Sequence, residues 1–511
     1  MTNKLQITSV NDYIVEISGS HNFAQGEFLA LKDNPHVQFM VISAKENSAY
    51  CLGVNNSVKY AVGSEVTTSV RSSLVKTSLE YFGKVIDVHG NVLYPTKTAA
   101  PKNFLTHQSQ TISAENHLMN YELLEEQLKT GYAIIDLLIP IGKGQRELII
   151  GDRQTGKSFI ALNTIINQKN KNIKCIYVAI GQTQNQVSWV YQTLKENDAL
   201  DYTMIINAPA ETPFEQYLAP YVGMAHAENL SYEDDVLIVF DDLTKHANVY
   251  REIALLTNKP IGKEAYPGDM FYAHARLLER SGKFKNRKSI TALPILQTID
   301  NDITSLIASN VISITDGQIV TSSELFALNK YPAINIDLSV SRIGTKLQNP
   351  ITAQTTKTIN TIYRAFKRQT KLAALKYDLN EEVNNLIISG IQIEKLFNQK
   401  GISSYDSMDL FLTAQIIKYN ILNNLKDKEI QQAIEFLIAF AKEDQVSIQM
   451  VNNLINNSLS DKNAPRDYFA FVLHSYSNMF NLNWNIALSK EYLNLNQSLI
   501  TKIHKQLTGG K

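Results

Sequence analysis

Cysteine, long apolar runs, net charge and arginine are all scarce in this chain, and each shortage excludes something. Cys51 and Cys175 are the only cysteines in 511 residues, and they are far apart. That excludes a disulfide framework, and both read as reduced core residues of a cytosolic protein. No apolar stretch reaches the roughly 18 residues a membrane span needs, so any membrane contact would be indirect. The opening residues, Met1 to Gln6, carry no signal-peptide core. Lys and Arg total 49, and so do Asp and Glu, giving zero formal charge. No basic run stands out, which removes the electrostatic footprint of a nucleic-acid binder. Only 11 of the 49 cations are arginine. Lysine serves wherever a bare charge is enough, so the arginines become candidates for sites that need a rigid fork. Arg146, Arg153, Arg276, Arg280 and Arg342 cluster in the middle of the chain.

Hydrophobic content of 44% with 19% charged residues describes a soluble globular protein, too long for one core. Three segments are expected. Residues 1–73 carry short β-type runs: Tyr13 to Ile17, Phe28 to Leu31, Val37 to Ile42 and Tyr60 to Val62. They read as a small antiparallel β-barrel. Residues 74–348 alternate apolar strands with helices. The runs 175–180, 203–206, 236–240 and 290–295 are continuously apolar, as in a mostly parallel sheet covered on both faces. Residues 349–511 lose strand signals, and Leu410, Ala414, Ile417, Ile421 and Leu425 recur at helical spacing. A helical domain is expected there, with the Gly509-Gly510 end frayed. The aromatics Tyr468, Phe469, Phe471, Tyr476, Phe480 and Trp484 suit helical core packing, with a docking face as the alternative.

The middle segment carries the chemistry. Residues 147–158 run from an apolar strand, Glu147 to Ile150, into Gly151-Asp152-Arg153-Gln154-Thr155-Gly156-Lys157-Ser158, and then into an apolar helix. That order is the context a phosphate-binding loop requires; a chance Gly/Lys turn is the alternative. Backbone amides and the helix N-terminus would face a nucleotide's phosphates, Lys157 would add charge, and Ser158 could ligate Mg²⁺. Asp241 closes the run 236–240, where a carboxylate suits coordination of Mg²⁺ through water, or caps a turn. The run 175–180 ends in Gly181-Gln182. An amide there can orient a water but cannot act as a base near neutral pH, and an ordinary polar strand end is the bland reading. Arg342 is either a surface ion-pair residue or an arginine finger reaching a neighbouring subunit's nucleotide.

Together these segments resemble the alpha subunit of F-type ATP synthases, the non-catalytic partner in the ring of rotary ATPases. The likeness runs from Pro140 to Ser158, through 177–182, 210–221, 241–245, 264–269, 276–280 and 310–318, to Pro332 to Asn335 and Arg342. The resemblance implies an ATP/ADP pocket formed by residues 151–158, with Arg153 and Gln154 lining it. It implies Mg²⁺ held by Ser158 with Asp241 behind it. Gln182 would stand where the catalytic beta-type subunit has its glutamate, so this site would bind ATP without turning it over. Arg342 would complete the adjacent beta-type site. The implied partners are beta-type subunits in an alternating three-to-three ring and a gamma-type central stalk. The implied location is cytoplasmic, at the cytoplasmic face of the membrane as part of a complex.

Three departures qualify the likeness. The chain starts near its first barrel strand, so the family's N-terminal extension and its stator contact are not expected. The base side of the pocket is altered: Tyr331 precedes Pro332 where the family usually has arginine, and Gln399 is the one later glutamine that still matches. The helical segment also looks longer than usual. These features are similar to F-type-like ATPases of wall-less bacteria, in which duplicated alpha/beta pairs serve other machinery such as gliding. A self-sufficient secretion or RNA-translocating ATPase is the competing class, but it needs a glutamate where Gln182 stands.

Overall fold

Short β-type runs near the N-terminus form six strands among the described residues. They are β1 (Leu5–Asn11), β2 (Ile14–Ser18), β3 (Phe28–Leu31), β4 (Gln38–Ala44), β5 (Ser48–Gly53) and β6 (Glu65–Thr68). They close into an antiparallel barrel in the order β1-β2-β5-β4-β3-β6. The strand period of two puts Val15, Ile17, Leu29, Phe39, Val41 and Cys51 inside. Asn11 pairs with Ile14 across a two-residue turn, where Asp12 takes a φ of +57°, a region Asp tolerates. The run Tyr60 to Val62 is not the strand its composition suggests. Ser64 N–H bonds to Ala61 O at 3.2 Å and closes a turn there, while the Tyr60 ring still packs edge-on against Phe39. This computed structural model describes residues 4–54, 60–69, 74–96, 98, 101–112, 120–373, 381–456, 458, 461, 463–492 and 495–507. Residues 70–73 of the expected barrel segment and the Gly509-Gly510 end lie outside that set.

The middle segment builds a ten-stranded sheet. Its parallel centre uses β7 (Glu147–Gly151), β8 (Ile173–Gln182), β9 (Thr203–Pro209), β10 (Asp235–Asp241), β11 (Arg287–Gln297) and β12 (Gly317–Val320). The strand order is Val340–Ser341, β12, β7, β11, β10, β8, β9, Val85–Ile86, Val92–Tyr94, and Gly282–Phe284 also pairs with β11. Helices cover the sheet, so the strands are apolar without alternation: Ile149, Ile176, Val178, Ile206, Ile238 and Leu293 are all buried. Their shared direction brings the C-terminal ends of β7, β8 and β10 to one edge, where ligands settle in open α/β sheets.

The described chain divides into two compact units, Met1–Thr130 with Ile141–Gly344, and Gly131–Pro140 with Thr345–Lys511. The second unit is helical. Residues 131–140 join it because Tyr405 OH donates to the buried Asp136 carboxylate at 2.8 Å and Gln348 Nε2 donates to Asp136 O at 2.8 Å. The helix Ser407–Lys418 stops short of the expected run to Leu425. Asn420, at φ +56°, breaks it, yet Ile421, Leu422 and Leu425 stay buried in the turn that follows. Tyr468, Phe469, Tyr476 and Trp484 lie in this unit's core, and Tyr476 stacks on Phe436 with ring centroids 3.8 Å apart. Phe436→Ala should cost about 3–5 kcal/mol by leaving a cavity between those rings. A clearly lower unfolding midpoint for the variant checks this; an unchanged midpoint would mean the stack contributes little.

Candidate nucleotide site

Strand β7 is five buried residues that end at Gly151. Gly151 lies so close to the chain beyond β12 that a Cβ would meet Thr321 Oγ1 at 2.1 Å. At the opposite end of the same strand pair, a Cβ on Gly317 would meet the Glu147 carboxylate at 2.4 Å. From Gly151 the chain turns through Gln154, at φ +59°, to Gly156, which caps helix α1 (Lys157–Ile166) at φ +85°. Asp152 pins the loop from below: its Oδ1 accepts Thr298 Oγ1 at 2.6 Å and Asn301 N–H at 2.9 Å. Thr155 Oγ1 meets Asp152 O at 2.8 Å and Thr321 Oγ1 at 2.7 Å, so its side chain braces the loop. Arg153 and Gln154 are exposed.

Lys157 folds back into the loop and donates to Gly151 O at 2.8 Å and to Asp152 O. Burial lowers its ammonium to about 8, while Asp242, Asp241 and Asp152 pull the other way. A cation at the start of a helix, folded into a glycine loop, is an arrangement that suits an anion.

Beside it, strand β8 carries Tyr177 and Gln182 toward Asp241, whose residue pairs with Ala179 in the sheet. Ser158 Oγ donates to Asp241 Oδ2 at 2.6 Å, and Tyr177 OH donates to the same oxygen. Gln182 Nε2 donates to Asp241 Oδ1 at 3.1 Å and to Asp241 O at 3.2 Å. Burial, then the charge of Asp241, pushes the Tyr177 hydroxyl well up, so it remains a donor. Asp242 caps helix α2 (Leu243–Leu256) by accepting Lys245 N–H at 2.9 Å, and burial next to Asp241 lifts its carboxyl to about 6. Lys245 Nζ reaches Gly181 O at 2.6 Å. Ser158 and Asp241 offer only oxygen donors, and a Ser158 hydroxyl that gives its proton to Asp241 keeps lone pairs for a cation. That donor set fits a hard divalent ion such as Mg²⁺.

Other expected residues are distributed differently. Tyr331 packs edge-on against Phe326 at 5.2 Å, and Phe326 lies 4.0 Å from where a Gly156 Cβ would be. The Tyr331–Pro332 step is therefore beside the start of α1. Gln399 belongs to the helical unit: its Oε1 accepts Ala133 N–H at 2.6 Å and its Nε2 donates to Gly131 O at 3.1 Å. Its amide thus holds the 131–133 backbone. Arg342 is exposed and lies at the far end of β7. Its N–H donates to Asp316 O at 2.9 Å, and its guanidinium reaches Thr315 O at 3.2 Å and Ile312 O at 3.4 Å, at the end of helix α3 (Leu306–Ile314). Asp316 also takes a two-pronged bond from Arg146 at 3.0 and 2.8 Å. Arg342 is level with Arg146, five residues from Gly151, which is roughly 16 Å along a strand. Its seat is remote from this chain's own loop.

Sequence reasoning assigned no role to Tyr177, Thr321 or Phe326. Tyr177 sits in an unbroken apolar run and so reads as core; only the position of Asp241 on the neighbouring strand shows its hydroxyl at work.

Residues 131–341 match the family described as "ATP synthase alpha/beta family, nucleotide-binding domain". The chain is 42% identical to "ATP synthase subunit alpha 2" of Mycoplasmopsis pulmonis, over 88% of this chain and 87% of that one. It is 37% identical to "ATP synthase subunit alpha" of Carsonella ruddii, over 90% and 98%. It is 36% identical to "ATP synthase subunit alpha, sodium ion specific" of Acetobacterium woodii, over 93% of each. With the likeness extending over most of both partners in every pair, the chain belongs to the ATP synthase alpha-subunit family.

Proposed function

We propose that this chain is the non-catalytic, nucleotide-binding alpha-type subunit of a hexameric F-type or F-type-like ATPase. In this reading residues 151–158 hold the phosphates of ATP or ADP, and Tyr331 and Pro332 face the base. Ser158 and Asp241 hold Mg²⁺, which would neutralise phosphate charge. Beta-type subunits alternate with this one around a gamma-type stalk, and Arg342 reaches the adjacent beta-type site. The observation that carries the reading is the pairing of an intact phosphate loop with an amide at 182. Gln182 cannot take a proton from water near neutral pH, and its Nε2 is already committed to Asp241.

The full-length chain alone should bind Mg-ATP and hydrolyse it negligibly. Equilibrium binding together with a phosphate-release assay on the monomer tests this. Brisk turnover by the isolated chain would overturn the non-catalytic assignment.

One observation favours a more specific machine. The chain is 42% identical to alpha 2 of Mycoplasmopsis pulmonis and 36% identical to alpha 1 of the same organism. That gap supports membership of a second, duplicated set of alpha-type chains, and we propose that this set drives gliding or other surface machinery in place of ATP synthesis. Native purification with identification of the co-eluting chains decides the point: a conventional synthase set would sink it.

A further inference from the structure

We propose that Tyr177 and Gln182 form a clamp that fixes the Asp241 carboxylate for Mg²⁺, making both positioning residues of the metal site. This rests on the reading of Ser158 and Asp241 given above. The carboxylate is 4% exposed and receives three side-chain donors from two elements, Ser158 on α1 and Tyr177 and Gln182 on β8. Oδ2 takes Ser158 and Tyr177; Oδ1 takes Gln182. Both oxygens are held, so the side chain cannot rotate without breaking a bond to a charged acceptor.

The orientation of the Gln182 amide follows from its partners. Asp241 O and Oδ1 are both acceptors, so the group facing them is the NH₂. A carboxylate at 182 could not donate either bond. The amide therefore does more than withhold a catalytic base: it ties the end of β8 to the end of β10 and sets the direction of Asp241. Tyr177 holds the other carboxylate oxygen from the middle of β8, and at 1% exposure it is shut off from solvent. With the carboxylate fixed, the Ser158 hydroxyl points its proton at Oδ2 and keeps its lone pairs for a cation.

The test separates metal from nucleotide. ATP is titrated into the full-length chain by calorimetry, once with Mg²⁺ and once with EDTA, and the ratio of the two affinities is the readout. Tyr177→Phe keeps the ring, and Gln182→Leu keeps most of the volume, so each removes a donor while sparing the packing. Each should lower the Mg²⁺ enhancement about tenfold, the effect of losing one hydrogen bond to a charged group. The double variant should lose more than either. A side chain that merely packs would shift both affinities together and leave the ratio alone. If the unmodified chain shows a Mg²⁺ enhancement and both variants retain it, the clamp is wrong and the metal site stands. If the unmodified chain shows no enhancement, the metal reading falls and takes the clamp with it.

Discussion

Arg342→Lys should lower the ATPase rate of the reconstituted complex by roughly 10³-fold or more, the lower end for removal of an arginine finger. The guanidinium is exposed and rests on the Thr315 and Ile312 carbonyls, with the backbone tied to Asp316. It makes no ion pair of its own among the described residues: the Asp316 carboxylate is engaged by Arg146. In the proposed reading this arginine, resting on backbone carbonyls at a strand end far from its own loop, serves the adjacent chain. A fork donated to developing phosphoryl charge acts on turnover more than on ground-state binding. Lysine keeps the charge and loses the fork, so it should not rescue. Assembly and this chain's own ATP binding should survive. Near-normal turnover, or failure to assemble, would make Arg342 a structural residue.

Lys157→Ala should weaken ATP binding by about 10²-fold, since at least one and usually two bonds to phosphate oxygens, each roughly 1.5–3 kcal/mol, go with the charge. The ammonium rests on Gly151 O and Asp152 O, partners that are weaker than phosphate oxygens. The loop should keep its shape in the variant, because Asp152 and Thr155 hold it from outside through Thr298, Asn301 and Thr321. An unfolding midpoint close to the unmodified value checks that the loss is local. Unchanged affinity would mean that the loop no longer binds nucleotide.

The strand, glycine loop and helix around residues 147–166 were legible because glycine, lysine and serine at fixed spacing between two apolar runs answer one physical demand. Asp241 and Gln182 were legible as polar ends of apolar strands, and the sheet aligns those ends. What the sequence could not show was pairing across long separations. Tyr177 meets Asp241 only because β8 lies beside β10, and Gln399 meets Ala133 from 266 residues away. In the barrel, β1, β5 and β6 escaped notice: β1 and β6 mostly face solvent and carry little apolar signal, while β5 is buried but its Ser-Ala-Tyr-Cys-Leu-Gly composition is a weak strand signal. Tyr60 misled for the converse reason: its ring packs against the core while the chain just beyond it turns at 61–64. Ile421 and Leu425 did the same, buried at helical spacing beyond a helix that Asn420 had already ended.

The two close approaches along β7 and β12 have a mechanical consequence. At one end a Cβ on Gly151 would strike Thr321, and at the other a Cβ on Gly317 would strike Glu147. Between them Leu148, Ile149 and Ile150 lie in parallel register with Gln318, Ile319 and Val320. A slip of one residue would reverse every side chain and drive Asp316 or Gln318 into the space that only the hydrogen of Gly317 fills. The pair therefore resists sliding, and the spacing between the first residue of the loop and the Asp316 corner that carries Arg342 is fixed at both ends.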